Sequence, residues 1–228
     1  MLTNLIIGDI IVLGKQYALS KLFGRKVLKV LYENMIVFYQ RERFGDCAYC
    51  DATHVLKYCG AGKCFEVTDP ESKWTSVEEL EAHIRETGRK VWVFRYNRYQ
   101  WRKEDANLVD EIVNPMVGKK YAYLDILPFI LEKVIGFLPN AYKLVTNIFG
   151  DSWKKYMFKL IAGSNNIFLC STGVAAIYGA MHKRKIGTSG ESLFPRPFAT
   201  SDGGNEYVEM VTPAHFGCWP GDFKEIPQ

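Results

Sequence analysis

The chain has 228 residues, 48% of them hydrophobic and 24% charged, which is ordinary globular composition and excludes a collagen, a coiled coil and a disordered chain. A chain of this length buries about 70% of its unfolded surface, so it needs no disulfide or metal staple to fold. Its 29 basic and 25 acidic residues leave a net charge of +4, too mild a balance to point to nucleic acid.

No stretch reads as a membrane span. Ile167 to Met181 lacks acidic and basic residues but is shorter than the roughly 20 residues a span needs. The apolar stretch from Tyr121 to Leu138 is broken by Asp125, Pro128, Glu132 and Lys133. The N-terminus lacks a basic leader and Asp9 interrupts its apolar run, unlike a secretory signal. A cytoplasmic location is therefore expected, with the six cysteines reduced.

Leu5 to Leu13 is a β-branched run with a Gly8-Asp9 break and reads as a first strand. Residues 15 to 39 read as a basic amphipathic helix running into a more apolar stretch, and 41 to 52 as a polar loop carrying Cys47 and Cys50. Thr53 to Cys59 and Lys63 to Thr68, joined by Gly60-Ala61-Gly62, form a hairpin signal. Ser76 to Thr87 is a short helix with Ser76 as cap and Glu79 at the capping-box position. Lys90 to Tyr96 alternates as a fourth strand. Arg102 to Met116 reads as a helix ended by Gly118, and Asp125 to Ile161 as an aromatic-rich helical stretch. Cys170 to His182 is a small-residue helix, 187 to 204 a loop, and Glu206 to Val211 a last strand. The reading is α+β: an antiparallel sheet packed with helices.

Cys170 opens a predicted helix, where the N-terminal dipole favours a thiolate. Of the four histidines, His83 lies in a charged helix, His182 at a helix C-terminus and His215 in a terminal loop, whereas His54 opens a strand. A cysteine at a helix start facing a histidine on an adjacent strand is the papain arrangement, and it needs a third group to orient the imidazole. A plain turn at Ala61-Gly62 pairs His54 with Asp69 and puts Glu66 on the opposite face. A bulge at Gly60 or Gly62 returns Glu66 to the face of His54. On the residues alone, Glu66 and Asp69 are equal candidates.

Zinc is not expected from Cys47-x-x-Cys50 with Cys59 and Cys64. Cys59 stands roughly 16 Å along the strand from His54, while Cys47 and Cys50 belong to the loop at its other end. Cys59 and Cys64 are expected to face each other across the hairpin as thiols.

Gly8-Asp9-Ile10-Ile11-Val12, Thr53-His54-Val55, Phe65-Glu66-Val67 and Leu169-Cys170-Ser171, in that order, resemble the circularly permuted NlpC-type papain-like hydrolases. The resemblance is to the YiiX-like branch, related to lecithin retinol acyltransferase, and Val211-Thr212-Pro213-Ala214 is similar to its closing segment. The pieces are scattered from Gly8 to Pro213, and their order and spacing carry the likeness. The resemblance implies one papain-like domain over 1–228 with a helical insertion at about 125–162. It implies Cys170 as nucleophile, His54 as base and Glu66, in preference to Asp69, as orienting residue. It places Tyr121, in Gly118-Lys119-Lys120-Tyr121, and Ser171 near the substrate. Leu56 stands where relatives often have Gly.

The implied activity is thiol hydrolysis of an amide, in a cell-wall peptide or an N-acyl or lipid amide. The alternatives are an acyltransferase or a non-catalytic scaffold that binds lipid or a protein. No cofactor, metal or nucleic-acid partner is expected, and a monomer is. Lys154, Lys155 and Lys159, with the basic first helix, suit peripheral contact with an anionic membrane.

Overall fold

Gly8 decides where the first strand begins. It adopts φ +96°, and a Cβ there would collide with the Trp101 indole. The turn brings the Asp9 N–H to the Ile6 carbonyl at 3.0 Å. The buried Asp9 carboxylate accepts two hydrogen bonds of 2.8 Å from Arg95 and one of 2.9 Å from the Ile6 N–H. With backbone and carboxylate committed to a turn, strand β1 spans Ile10–Gly14 and does not reach back to Leu5.

The computed structural model describes residues 2–15, 25–68, 70–97, 99, 101–121, 167–168, 170–185, 212–218 and 223–228. After β1 come α1 (Arg25–Phe44), β2 (Ala52–Gly60), β3 (Lys63–Val67), β4 (Ser72–Ser76), α2 (Val77–Thr87) and β5 (Val91–Tyr96). Then follow α3 (Asp105–Val113), a 3-10 turn (Asn114–Met116), β6 (Lys120–Tyr121), β7 (Ile167–Phe168), α4 (Cys170–Lys185), α5 (His215–Cys218) and β8 (Phe223–Glu225). Six strands form one sheet in the order β4-β3-β2-β1-β5-β8, with every pairing antiparallel. The chain is α+β. No described helix is long and apolar enough to cross a membrane.

Several boundaries differ from the sequence reading. The loop expected from 41 begins only after α1 ends at Phe44. Strands β4 and β8 were not expected, and β8 closes the sheet edge beside β5. The strand expected at 206–211, the insertion expected at about 125–162 and Asp69 lie outside the described residues.

Side-chain alternation splits the sheet into two packed faces. Ile10, Val12, Val55, Trp92 and Phe94 pack against Val174, Ala175 and Tyr178 of α4. Ile11, Leu13, Leu56 and Val93 pack on the other side against Leu80 and Ile84 of α2. Helix α2 is fixed at its start by a full capping box: Ser76 Oγ accepts from the Glu79 N–H at 3.1 Å, and Glu79 Oε2 accepts from the Ser76 N–H at 3.0 Å. Ser76→Ala is expected to cost about 1 kcal/mol, read as a lower urea midpoint at unchanged slope.

The β2–β3 hairpin carries the register on which the site depends. Gly60 pairs with Lys63, but Tyr58 pairs with Cys64 and Leu56 with Glu66, so β2 holds one extra residue at Cys59. Gly60 allows this at φ +95°, where a Cβ would stand 2.8 Å from Ile7 Cγ1. The bulge puts Glu66 on the face of Leu56, and therefore of His54. It also separates the two hairpin cysteines: Cys59 packs with Phe65 and Val67, and Cys64 with Leu56 and Leu80 on the opposite face. The expectation that they face each other is corrected by this bulge.

Candidate active site

His54 is the third residue of β2, Glu66 lies on β3 and Cys170 is the first residue of α4. The structure brings the three together. His54 Nε2 is 2.9 Å from Glu66 Oε1. That leaves Nδ1 for the thiol of Cys170, which is hydrogen-bonded to the His54 side chain and also receives the backbone N–H groups of Val55 and Ser171. The other oxygen of Glu66 accepts from Thr75 Oγ1 at 2.7 Å, and Lys73 Nζ lies 3.9 Å from it. The chain of contacts therefore runs Cys170, His54, Glu66, Thr75.

Each link has a local cause. Cys170, the first residue of α4, meets the early part of β2, where the His54 side chain and the Val55 N–H both reach its thiol. Thr75 shares the face of Glu66 because it pairs with Cys64, two residues away on β3. Sequence reasoning missed Thr75 because β4 is a short Ser-Lys-Trp-Thr-Ser run that passes straight into the cap of α2.

The group is largely enclosed: Cys170 is 1% exposed, and the side chains of His54 and Glu66 are 15% exposed. Burial alone pulls the imidazole down, but the charge on Cys170, their hydrogen bond and Glu66 hold His54 up at about 9. Burial likewise pushes the Cys170 thiol up. The charge and hydrogen bond of His54, with the two backbone N–H groups, outweigh it and hold the thiol below its ordinary range. Burial also raises Glu66, yet the hydrogen bond and charge of His54, then Thr75 and Lys73, bring it down to about 2. These opposing shifts favour the thiolate–imidazolium form of the pair, braced by a carboxylate.

The depressed carboxyl of Glu66 makes stability depend on pH. Its contribution is present above its ordinary 4.5 and is lost as pH falls through about 2. The amount at stake is on the order of 3 kcal/mol. The wild type is expected to lose stability more steeply than Glu66→Gln between pH 4.5 and 2 in urea titrations. Parallel curves would show that Glu66 is not held by these partners.

The other residues singled out from the sequence fall as follows. Ser171 is buried and meets the thiol through its backbone N–H. The backbone of Tyr121, in β6, pairs in parallel with Phe168 of β7, two residues before Cys170; its side chain is outside the described residues. His215 is not in a loop: it is buried on α5, with Nδ1 2.7 Å from the Thr212 N–H and its ring edge-on to Phe44. Nor are all six cysteines free. Cys47 and Cys218 are joined as a disulfide, and Cys50, Cys59, Cys64 and Cys170 are thiols. Cys218 was overlooked as a partner because 171 residues separate it from Cys47, and the closing strand that returns it to the sheet was not expected.

Comparison of the chain with protein-family models, with curated proteins and with solved structures returned no match.

Proposed function

We propose that the chain is a cysteine hydrolase of permuted papain-like architecture that cleaves an amide bond. The observation that carries this reading is the continuous Cys170–His54–Glu66–Thr75 chain, assembled from an α4 terminus and three strands. Nucleophile, base and orienting group stand in hydrogen-bond contact, which is the geometry that nucleophilic catalysis requires.

In this reading the Cys170 thiolate attacks the substrate carbonyl, and the oxyanion is received by the Cys170 backbone N–H at the helix start. The imidazolium of His54 then protonates the leaving amine as the C–N bond breaks. His54, now neutral, takes a proton from water, whose oxygen attacks the acyl-thioester and releases the acid and the thiolate. Glu66 keeps the ring oriented and stabilises its charged form, and Thr75 fixes Glu66. The parallel pairing of Tyr121 with Phe168 supports a place for the Tyr121 segment beside the nucleophile. The substrate class is a cell-wall peptide or an N-acyl amide.

The test is to incubate the protein with a panel of N-acyl amides and muropeptides and to trap the acyl-enzyme by rapid acid quench. Intact mass should show one acyl adduct, on Cys170. The rate should fall on the acid side as the thiolate is protonated, and on the alkaline side as His54 loses its proton near pH 9. A non-catalytic scaffold gives neither adduct nor turnover with any substrate. An acyltransferase gives the adduct but releases it to an added amine or alcohol in preference to water.

A further inference from the structure

A second cluster of reactive groups lies outside this site. Cys47, Cys50 and Cys218 place their three sulfurs within 4.8 Å of one another. Two come from the Cys-x-x-Cys turn before β2, closed by a hydrogen bond of 3.1 Å from the Cys50 N–H to the Cys47 carbonyl. The third is the last residue of α5. Gln40 of α1 joins the same two segments: its amide donates to the carbonyls of Cys50 (2.8 Å) and Ala52 (2.7 Å) and accepts from the Ala214 N–H (2.8 Å).

The Cys47–Cys218 disulfide accounts for two of the three sulfurs. It does not include Cys50, whose buried Sγ donates to the Gly45 carbonyl at 3.2 Å and stands 2.9 Å from the Cys47 sulfur. Cys59 and Cys64 differ from Cys50 in their surroundings. Those two are also buried thiols, but they sit on opposite faces of the sheet among apolar side chains, as packing residues do. Three sulfurs converging on one point, two of them at Cys-x-x-Cys spacing, form instead a donor set for a thiophilic divalent cation.

We propose that Cys47, Cys50 and Cys218, when reduced, bind one zinc ion as a three-thiolate site that staples the C-terminal helix to the segment leading into β2. Two equivalents of a small-molecule thiol reduce the Cys47–Cys218 bond, giving two protein thiols and the reagent's disulfide. Zinc then displaces three protons from Cys47, Cys50 and Cys218 and leaves its fourth tetrahedral position to a solvent oxygen. Because His54 follows Cys50 by four residues, the ion would hold the entry to the catalytic strand without touching the reacting groups.

The experiment uses the full chain, purified anaerobically with a thiol reductant. Elemental analysis should find one zinc per chain. Replacement by Co²⁺ should give the intense near-ultraviolet thiolate-to-cobalt band together with tetrahedral visible bands. Cys47→Ser, Cys50→Ser and Cys218→Ser should each weaken metal retention against a chelator by at least about tenfold, while Cys59→Ser should not. Should those variants fail to fold, the wild type still decides. Added zinc is expected to protect Cys47, Cys50 and Cys218 together from alkylation and to release three protons. The proposal is overturned if the reduced protein takes up no zinc or cobalt. It is equally overturned if Cys218 alkylates at the same rate with and without zinc, or if Cys218→Ser keeps the full cobalt spectrum.

Discussion

At pH 6, iodoacetamide is expected to modify Cys170 about a hundredfold faster than Cys59 or Cys64. An ordinary thiol with a pKa of about 8.5 is less than about 1% ionised at that pH, whereas a thiolate held by an imidazolium is already formed. The comparison is a fair one because all three are nearly inaccessible: Cys170 is 1%, Cys59 4% and Cys64 0% exposed. Equal burial leaves thiolate character as the difference. Burial moves the other two away from reaction, pushing Cys59 up to about 11 and Cys64 higher still. The lower intrinsic nucleophilicity of a low-pKa thiolate trims the advantage without removing it.

His54→Ala should abolish the preference, since it removes the charge and hydrogen bond that outweigh burial at Cys170. If Cys170 labels at the same rate in both proteins, the ion pair does not exist and the proposed hydrolase loses its nucleophile. Hydrolysis should follow the same order. Cys170→Ala is expected to be inactive and His54→Ala to lose about 10³-fold or more in kcat. Glu66→Ala should lose less, because it positions the ring and takes no part in bond making.

Much of the sheet was legible because its signals are local. The alternation of Val91 to Tyr96 and the cap at Ser76 need no tertiary knowledge, and both elements occur within a residue of where they were expected. The hairpin was legible down to a choice between two registers. Its two turn glycines allow either, and the packing of Ile7 against Gly60 occurs with the bulged one. What could not be read was set by distant contacts. The β-branched run at Leu5 to Leu13 promises a longer strand, but the buried Asp9–Arg95 pair claims its first half for a turn. Strand β8 is only three residues long and is defined by its pairing with β5, far away in sequence. Cys170 and His54 could be singled out by residue type and by resemblance; their contact depends on where α4 starts relative to β2, which no spacing encodes. Thr75 and Lys57 were missed for one reason: a polar side chain in a short strand reads as solvent-facing until its neighbours are known.

Lys57 leads to a second large effect. It is fully buried on the α4 side of the sheet, paired in register with Ile10 and Phe65. Among the described residues its Nζ has no hydrogen-bond partner, and it lies 3.9 Å from the ring centre of Tyr178 and 4.6 Å from that of Trp101. Burial drives its pKa down to about 8, with the charges of Cys59 and Asp9 opposing. A lysine whose folded pKa is depressed destabilises the native state: the unfolded chain binds the proton more tightly. The penalty is present in full below about 8 and disappears as pH rises from 8 towards the ordinary 10.5. Its size is on the order of 3 kcal/mol. Lys57→Met keeps the volume and removes the charge, so it should raise stability by about 1–2 kcal/mol at pH 7. It should also flatten the rise in stability between pH 8 and 10.5 that the wild type shows. Lys57→Ala should do the opposite at pH 7, because the cavity it leaves against Tyr178 and Trp101 costs more than the charge. Urea midpoints of the three proteins at pH 7 and pH 10 decide the matter. If Lys57→Met is less stable than the wild type at pH 7, the ring faces more than offset the burial of the ammonium, and Lys57 holds the aromatic cluster together through its charge.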